Sequence, residues 1–220
     1  MFRSHYDRHI THVREAVMRM GQLVDQAIVR ASKSLASGDT LMAKWVIDDD
    51  VQIDEAERDL EERVMTLLAT QQPIVARDLR LMNVTLAIGW ELERIGDYAS
   101  GVARCTGRLS GQSYEHLLGD TISAMSQRSQ QMVQTSLESF IQLDIALARS
   151  LGDADDQIDE WRRQHTTELM SIAQTNPEHV VVVIELLEVL HFFERMADRA
   201  TNIGERVIYL VTNTTEAINE

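Results

Sequence analysis

The sequence predicts an all-α protein of six antiparallel helices, arranged as two pseudo-symmetric three-helix bundles over residues 1–110 and 111–220. Two prolines and ten glycines leave little material for turns, and Leu, Ala, Met, Glu and Arg dominate over strand formers. Apolar residues return every three or four positions along most of the chain, the period of a helix that buries one face. The third observation is an internal duplication. Gln52-Ile53-Asp54-Glu55 returns as Gln157-Ile158-Asp159-Glu160, and Glu93-Arg94-Ile95-Gly96-Asp97 returns as Glu194-Arg195-Met196-Ala197-Asp198. Order is kept and spacing nearly so, which is the mark of one unit written twice.

The first helix is expected from about His9 to Leu35, with Val13, Val17, Met20, Val24, Ile28 and Leu35 on one stripe and Gly38 closing it. Asp39 or Thr40 caps a second helix that runs through Val46, Ile53, Leu60, Val64 and Leu68 until Thr70-Gln71-Gln72-Pro73 interrupts the pattern. A third starts just after Pro73, carries Leu79, Met82, Leu86, Leu92, Ile95 and Val102, and stops near Gly107-Arg108-Leu109-Ser110-Gly111. That glycine- and serine-bearing connector separates the copies. The second copy repeats the plan: a long helix from roughly Tyr114 to Leu151, a break at Gly152-Asp153, a helix to about Gln174, and a last one started by Asn176-Pro177. Short connections make neighbours in each trio antiparallel.

Composition excludes several function classes. With 35 acidic against 21 basic side chains, the formal net charge of −14 opposes binding to a phosphate backbone, so nucleic acid is not expected as a partner. A single cysteine, Cys105, excludes an intramolecular disulfide framework and fits a reducing compartment. The first ten residues lack the apolar core of a secretory signal, and the run Val180 to Ile184 ends at Glu185, far short of the roughly 18 residues of a membrane-spanning helix. A cytoplasmic location follows as an expectation. The chain carries no nucleophile elbow, glycine-rich phosphate loop or metalloprotease motif, so it is not expected to be an enzyme.

The chemistry lies in acidic pairs four residues apart, which place two carboxylates on one helix face: Asp50 with Asp54, Glu93 with Asp97, Asp155 with Asp159, and Glu194 with Asp198. Number alone proves nothing, since the acid content yields about five or six such pairs by chance. Duplication is what chance does not supply, because one pair falls in the second helix and one in the third helix of each copy. Each pair also borders the apolar stripe, as in the line Leu187, Leu190, Glu194, Asp198, Thr201. If those helices pack side by side, four carboxylates converge in each copy, and burying them unpaired costs several kcal/mol per ion unless a cation joins them. Oxygen donors without a cysteine or convergent histidine set favour Mg²⁺, Mn²⁺, Ca²⁺ or iron, with Zn²⁺ less suited. Asn202, one turn past Asp198, is a further oxygen candidate, although Gly101 stands at its counterpart. The bland alternative is that Arg58, Arg94, Arg162, Arg195 and Arg199 pair with these acids in surface salt bridges.

Two other groupings read as structural. His5, His9 and His12 share a helix face without a duplicate, and Glu188 with His191 forms a single Glu-x-x-His step where a di-iron carboxylate bundle uses two. A di-iron carboxylate enzyme remains the rival reading. A third is a metal-free adaptor that binds partners through its apolar faces, including Trp45, Trp90 and Trp161.

The two Glu-Arg-x-x-Asp segments, with Asp78-Leu79-Arg80-Leu81 shortly after Pro73, resemble the PhoU family of phosphate-signalling proteins over nearly the whole chain. The resemblance implies two three-helix repeats whose Glu/Asp-x-x-x-Asp motifs bind metal ions or multinuclear clusters, here at Asp50, Asp54, Glu93, Asp97, Asp155, Asp159, Glu194 and Asp198. It further implies a homodimeric negative regulator of phosphate uptake and of the phosphate-starvation response, which lies between the ATPase subunit of a phosphate ABC transporter and a sensor histidine kinase, and meets the membrane only through those proteins. Ala197 stands where the motif often has Gly.

Overall fold

Helical periodicity becomes six long rods, two of them jointed, in a computed structural model that describes residues 2–70, 75–118 and 120–218. The first trio comprises α1 (Phe2–Ser37), the jointed rod α2 (Thr40–Asp49) and α3 (Val51–Thr70), and α4 (Ala76–Arg108). A short α5 (Glu115–Leu118) leads to the second trio: α6 (Thr121–Gln142), the jointed rod α7 (Ile145–Arg149) and α8 (Leu151–Thr175), a 3-10 turn (Pro177–His179) and α9 (Val180–Thr212). No strand occurs among the described residues. Pro73, expected to start the third helix, lies outside them.

Element boundaries differ from expectation at several places: α1 begins at Phe2 and not near His9, the second helix is broken at Asp50 into α2 and α3, and the fourth rod and Gly152 depart for local reasons. The fourth rod does not continue to Leu151. It stops at Gln142, because Leu143 takes the left-handed conformation at φ 56° and Asp144 caps the next helix. Gly152 then lies inside α8, not in a break. The same joint occurs in the first copy, where Gly38 adopts φ 65° and Asp39 caps α2. The backbone N–H groups of Asp39 and Asp144 donate to the carbonyls of Ser34 and Ser139 at 2.9 and 3.0 Å, so both copies turn this corner alike. Only glycine adopts this conformation without a steric cost. The second copy accepts that cost with a leucine, which is why its corner is invisible to residue type.

Each capping carboxylate accepts two backbone N–H bonds: Asp39 from Leu41 and Met42, Asp144 from Ala146 and Leu147. These satisfy donors that a helix start leaves open. Asp39→Ala and Asp144→Ala are each expected to cost about 1 kcal/mol in urea unfolding; a loss near zero for both contradicts the capping role.

α4 and α9 form the central pair and run antiparallel. Partners descend along α9 as they ascend along α4: Glu91 with Asn202, Tyr98 with Phe192, Cys105 with Glu188, Arg108 with Glu185. In the register of the duplication, Glu91 aligns with Phe192, Tyr98 with Arg199 and Gly101 with Asn202. One side of the pair is therefore polar, with Arg199 at 3.3 Å from Glu91 and the Asn202 amide donating to Glu91 at 3.2 Å. Its counterpart is apolar: Phe192 stacks on Tyr98, ring centroids 6.1 Å apart, and lies against Gly101. α1 packs on α4 and on α6, so apolar side chains from both halves, among them Met20, Leu92, Phe140 and Phe193, join in one continuous core.

Candidate metal centres

Two rods must lie close for their acids to meet, and Gly96 permits that in the first copy. A Cβ placed there would stand 2.8 Å from Ile53 Cδ1 and 3.4 Å from Asp50 Oδ1, so its absence lets α3 settle on α4 and brings Asp50 over the α4 backbone. Burial pushes the Asp50 carboxyl above its ordinary range; the Ser100 hydroxyl beside it pulls the other way, and the charges of Asp97 and Asp54 push it up further. Glu93 is raised by burial and then by Asp97, with Asp54 and Asp50 adding to it. The four predicted residues of the first copy thus share one electrostatic site.

The second copy repeats the arrangement with Asp155 buried more deeply than Asp50, while Asp159 is more exposed than Asp54. Asp155 is only 4% exposed. Burial and then the charges of Asp198, Asp159, Asp156 and Glu194 push its pKa up to about 7. Asp159 is raised by burial and by Glu194; Asp198 is raised by burial, opposed by Arg195 and reinforced by Glu194 and Asp159. All eight predicted residues therefore fall into two quartets, each spanning the jointed rod and the third rod of its copy.

The arginines divide between the two readings of the acids. Arg162 reaches Glu194 at 2.9 Å, Arg195 reaches Asp198 at 2.7 Å, and the exposed Arg94 touches Glu93 and Asp97 at 3.6 and 3.4 Å. Arg199 instead joins Glu91, and Arg58 donates to the backbone carbonyl of Asp54 at 3.1 Å. Five of the eight carboxyls are raised beside these pairs, with burial the first cause in each and the neighbouring acids adding to it. Among the described residues no three of these carboxylates bring ligand atoms within 4.8 Å of one another, so they are near neighbours and not a closed cage; oxygen donors of this kind suit a hard cation.

The surroundings of the quartets differ. Glu57 aligns with Arg162 and Trp90 with His191, so the first site faces an extra acid where the second meets a guanidinium. Burial and the neighbouring Glu61 raise Glu57, and Trp90 donates its indole N–H to Glu61 at 3.0 Å. An open groove of about 470 Å³ runs beside this first site, lined by the acids Asp54, Glu57, Glu91 and Glu93, by Trp90, and by Arg58, Arg94 and Arg199.

The model of the PhoU domain matches residues 17–106 and 122–207, one match per copy. The chain belongs to the PhoU family. A phosphate-specific transport system accessory protein PhoU homolog of Clostridium acetobutylicum is 30% identical over 220 residues, covering 100% of both chains. The crystal structure of PhoU from Pseudomonas aeruginosa superposes with a TM-score of 0.86 at 33% identity, over 95% of this chain and 100% of that one. The phosphate transport system regulatory protein PhoU from Streptococcus pneumoniae gives 0.89 at 27% identity, over 96% and 99%.

Of the other candidates on this PhoU chain, His191 meets a quartet residue, Glu194, while Asn202 and Glu188 turn elsewhere. Asn202 donates to Glu91 across the central seam and is not turned toward Asp198. The Glu-x-x-His step splits: His191 is exposed, not packed between helices, and lies 3.0 Å from Glu194, while Glu188 binds Arg108 at 2.5 Å. His9 and His12 lie edge to face with ring centroids 6.4 Å apart, and the side chain of His5 is outside the described residues. Among the described residues, only Cys105, Glu185 and Glu188 bring three potential ligand atoms within 4.8 Å of one another. Arg108 already bridges that trio, at 2.7 Å from Glu185 and 3.1 Å from the Cys105 sulfur, and burial pushes the thiol up to about 12. A guanidinium lock between α4 and α9 accounts for it. Ser100 and Thr201, each three residues past the last acid of its motif, are the polar neighbours that residue chemistry alone did not single out; their recurrence in both copies was the available signal. No helix among the described residues is long and apolar enough to cross a membrane.

Proposed function

We propose that this chain is a metal-binding accessory regulator of a phosphate-specific transport system, built from repeats over residues 1–110 and 111–220. It acts by binding, without catalysis, from the cytoplasmic side and as a homodimer. It couples the transporter ATPase to a sensor histidine kinase and represses phosphate uptake and the starvation response while phosphate is plentiful. The observation that carries the reading is the pair of carboxylate quartets at equivalent places in the two copies. The names of its relatives support the transport context.

Asp50, Asp54, Glu93 and Asp97 would hold ions in the first site, and Asp155, Asp159, Glu194 and Asp198 in the second. With Mg²⁺, Mn²⁺, iron or Zn²⁺ held there, these carboxylates on the jointed rod and the third rod would be neutralised together, which would steady the face offered to partners. The protein residues set this up by holding carboxylates together against their own repulsion.

Elemental analysis of protein purified without chelator tests the reading. Glu93→Gln with Asp97→Asn is expected to remove the metal of the first site, and Glu194→Gln with Asp198→Asn that of the second, with helicity retained. The same variants are expected to lose phosphate-dependent repression in cells. Metal-free protein from every preparation favours the adaptor reading, for which Trp45 and Trp90 are exposed. Oxygen-dependent turnover of ferrous iron would favour the di-iron reading, against which stands the splitting of Glu188 from His191.

A further inference from the structure

Among the described residues nine arginines are paired with carboxylates, as Arg30 is with Asp49, Arg149 with Glu216 and Arg162 with Glu194, and eight are not. Three that are not line one cleft. Arg14 of α1, with Arg77 and Arg80 of the first turns of α4, face a cleft of about 350 Å³ where the start of α4 meets the end of α9. None of the three forms an ion pair among the described residues. Asp78 is the one carboxylate in the lining, and Leu81 and Leu210 are part of an apolar wall. The Nε of Arg14 is buried without a hydrogen-bond partner. Arg80 lies over the ring of Tyr209, 5.8 Å from its centroid, which fixes the guanidinium while its in-plane N–H groups stay available.

The duplication separates what this corner needs for packing from what it does not. Leu81 aligns with Val182 and Leu210 with Leu109, so the apolar wall is kept in the second copy. Arg77 aligns with Glu178 and Arg80 with Val181, so the charges are not. Guanidiniums gathered around one cleft repel one another, and an anion between them relieves that repulsion. Three positive charges against one carboxylate leave an excess of two. That excess matches the dianion of a phosphoryl group, whose oxygens the planar fork of arginine binds in pairs, whereas one carboxylate would leave a charge over.

We propose that this cleft binds a phosphoryl dianion, either inorganic phosphate or the phosphate of an organic monoester whose remainder lies on the leucine wall. The site is separate from the carboxylate quartets and does not need metal there.

Calorimetric titration of the full chain after dialysis against EDTA, first with inorganic phosphate and then with AMP as a monoester, tests this. Saturable binding is expected, weakened about tenfold or more by Arg77→Gln with Arg80→Gln, and less by Arg80→Lys, which keeps the charge and loses the fork. Tighter binding of AMP identifies the monoester as the occupant; equal or tighter binding of phosphate identifies the free anion. The Glu93→Gln with Asp97→Asn protein is expected to bind both as the parent does. Three outcomes overturn the proposal: no saturable binding of either probe up to ~10 mM, undiminished binding in the arginine variants, or binding that vanishes in the quartet variant. The last places the anion at the quartet and leaves the metal reading standing.

Discussion

Stripped of metal, the Asp155→Asn protein is expected to be more stable than the parent at pH 8, and equal to it near pH 4. Asp155 ordinarily titrates near 3.8, and in the fold it is pushed up to about 7 by burial and by the acids around it. A carboxyl raised in this way favours folding only while protonated. Below pH 4 the group is neutral in both states and costs nothing. As pH rises from about 4 to 7 the unfolded chain ionises first, and the folded state loses up to about 4 kcal/mol, after which the loss is constant. Asparagine keeps the shape without that loss. Urea unfolding of both proteins in EDTA across this range reads the difference directly. Adding Mn²⁺ or Mg²⁺ at pH 8 should reverse the ranking, because an ion that binds only the folded parent stabilises it by mass action. A parent insensitive to pH between 4 and 8 in EDTA, or a variant less stable at pH 8, would defeat this account of the second quartet.

Phe193→Ala is expected to cost about 3–5 kcal/mol and to lower the melting temperature by about 10 °C. Phe193 is fully buried on α9, and its carbonyl accepts a hydrogen bond from Ser129 of α6 at 3.1 Å, so the backbone around it cannot collapse freely into the space vacated. The core it belongs to runs through both halves. Loss of the ring should therefore move one cooperative transition, with unchanged dependence on denaturant, and should not melt the second trio separately. Two resolved transitions would show the halves to be independent. A loss below about 1 kcal/mol would show that the site repacks.

The long rods were legible because their apolar stripes leave few alternatives: Val13 to Leu35 and Leu186 to Ile208 each bury one continuous face. The end of α6 was not. Leu143 sits left-handed without any residue-type signal, while Ala148, Leu151 and Ile158 continue a helical spacing straight past it. Gly152, which looked like a break, is tolerated in α8 because its neighbours Leu151 and Ala154 are buried in the core. At the site, duplication disclosed which acids share a face, since spacing of four is a property of one helix. It could not disclose that Asp155 is sealed while Asp50 is only half-buried, or that Glu57 and Arg162 give the two quartets opposite neighbours. Those depend on how one rod lies across another. The basic cleft was equally hidden, because Arg14 is far in sequence from Arg77 and Arg80.

The seam between α4 and α9 joins Glu91 to Arg199 and Asn202 on one side and Phe192 to Tyr98 and Gly101 on the other. A faithful gene duplicate would look the same after half a turn, and any binder could seat itself in two equivalent poses. This exchange of an ionic knot for an aromatic stack gives the molecule a heads and a tails, so that whatever lies across it must choose a single direction.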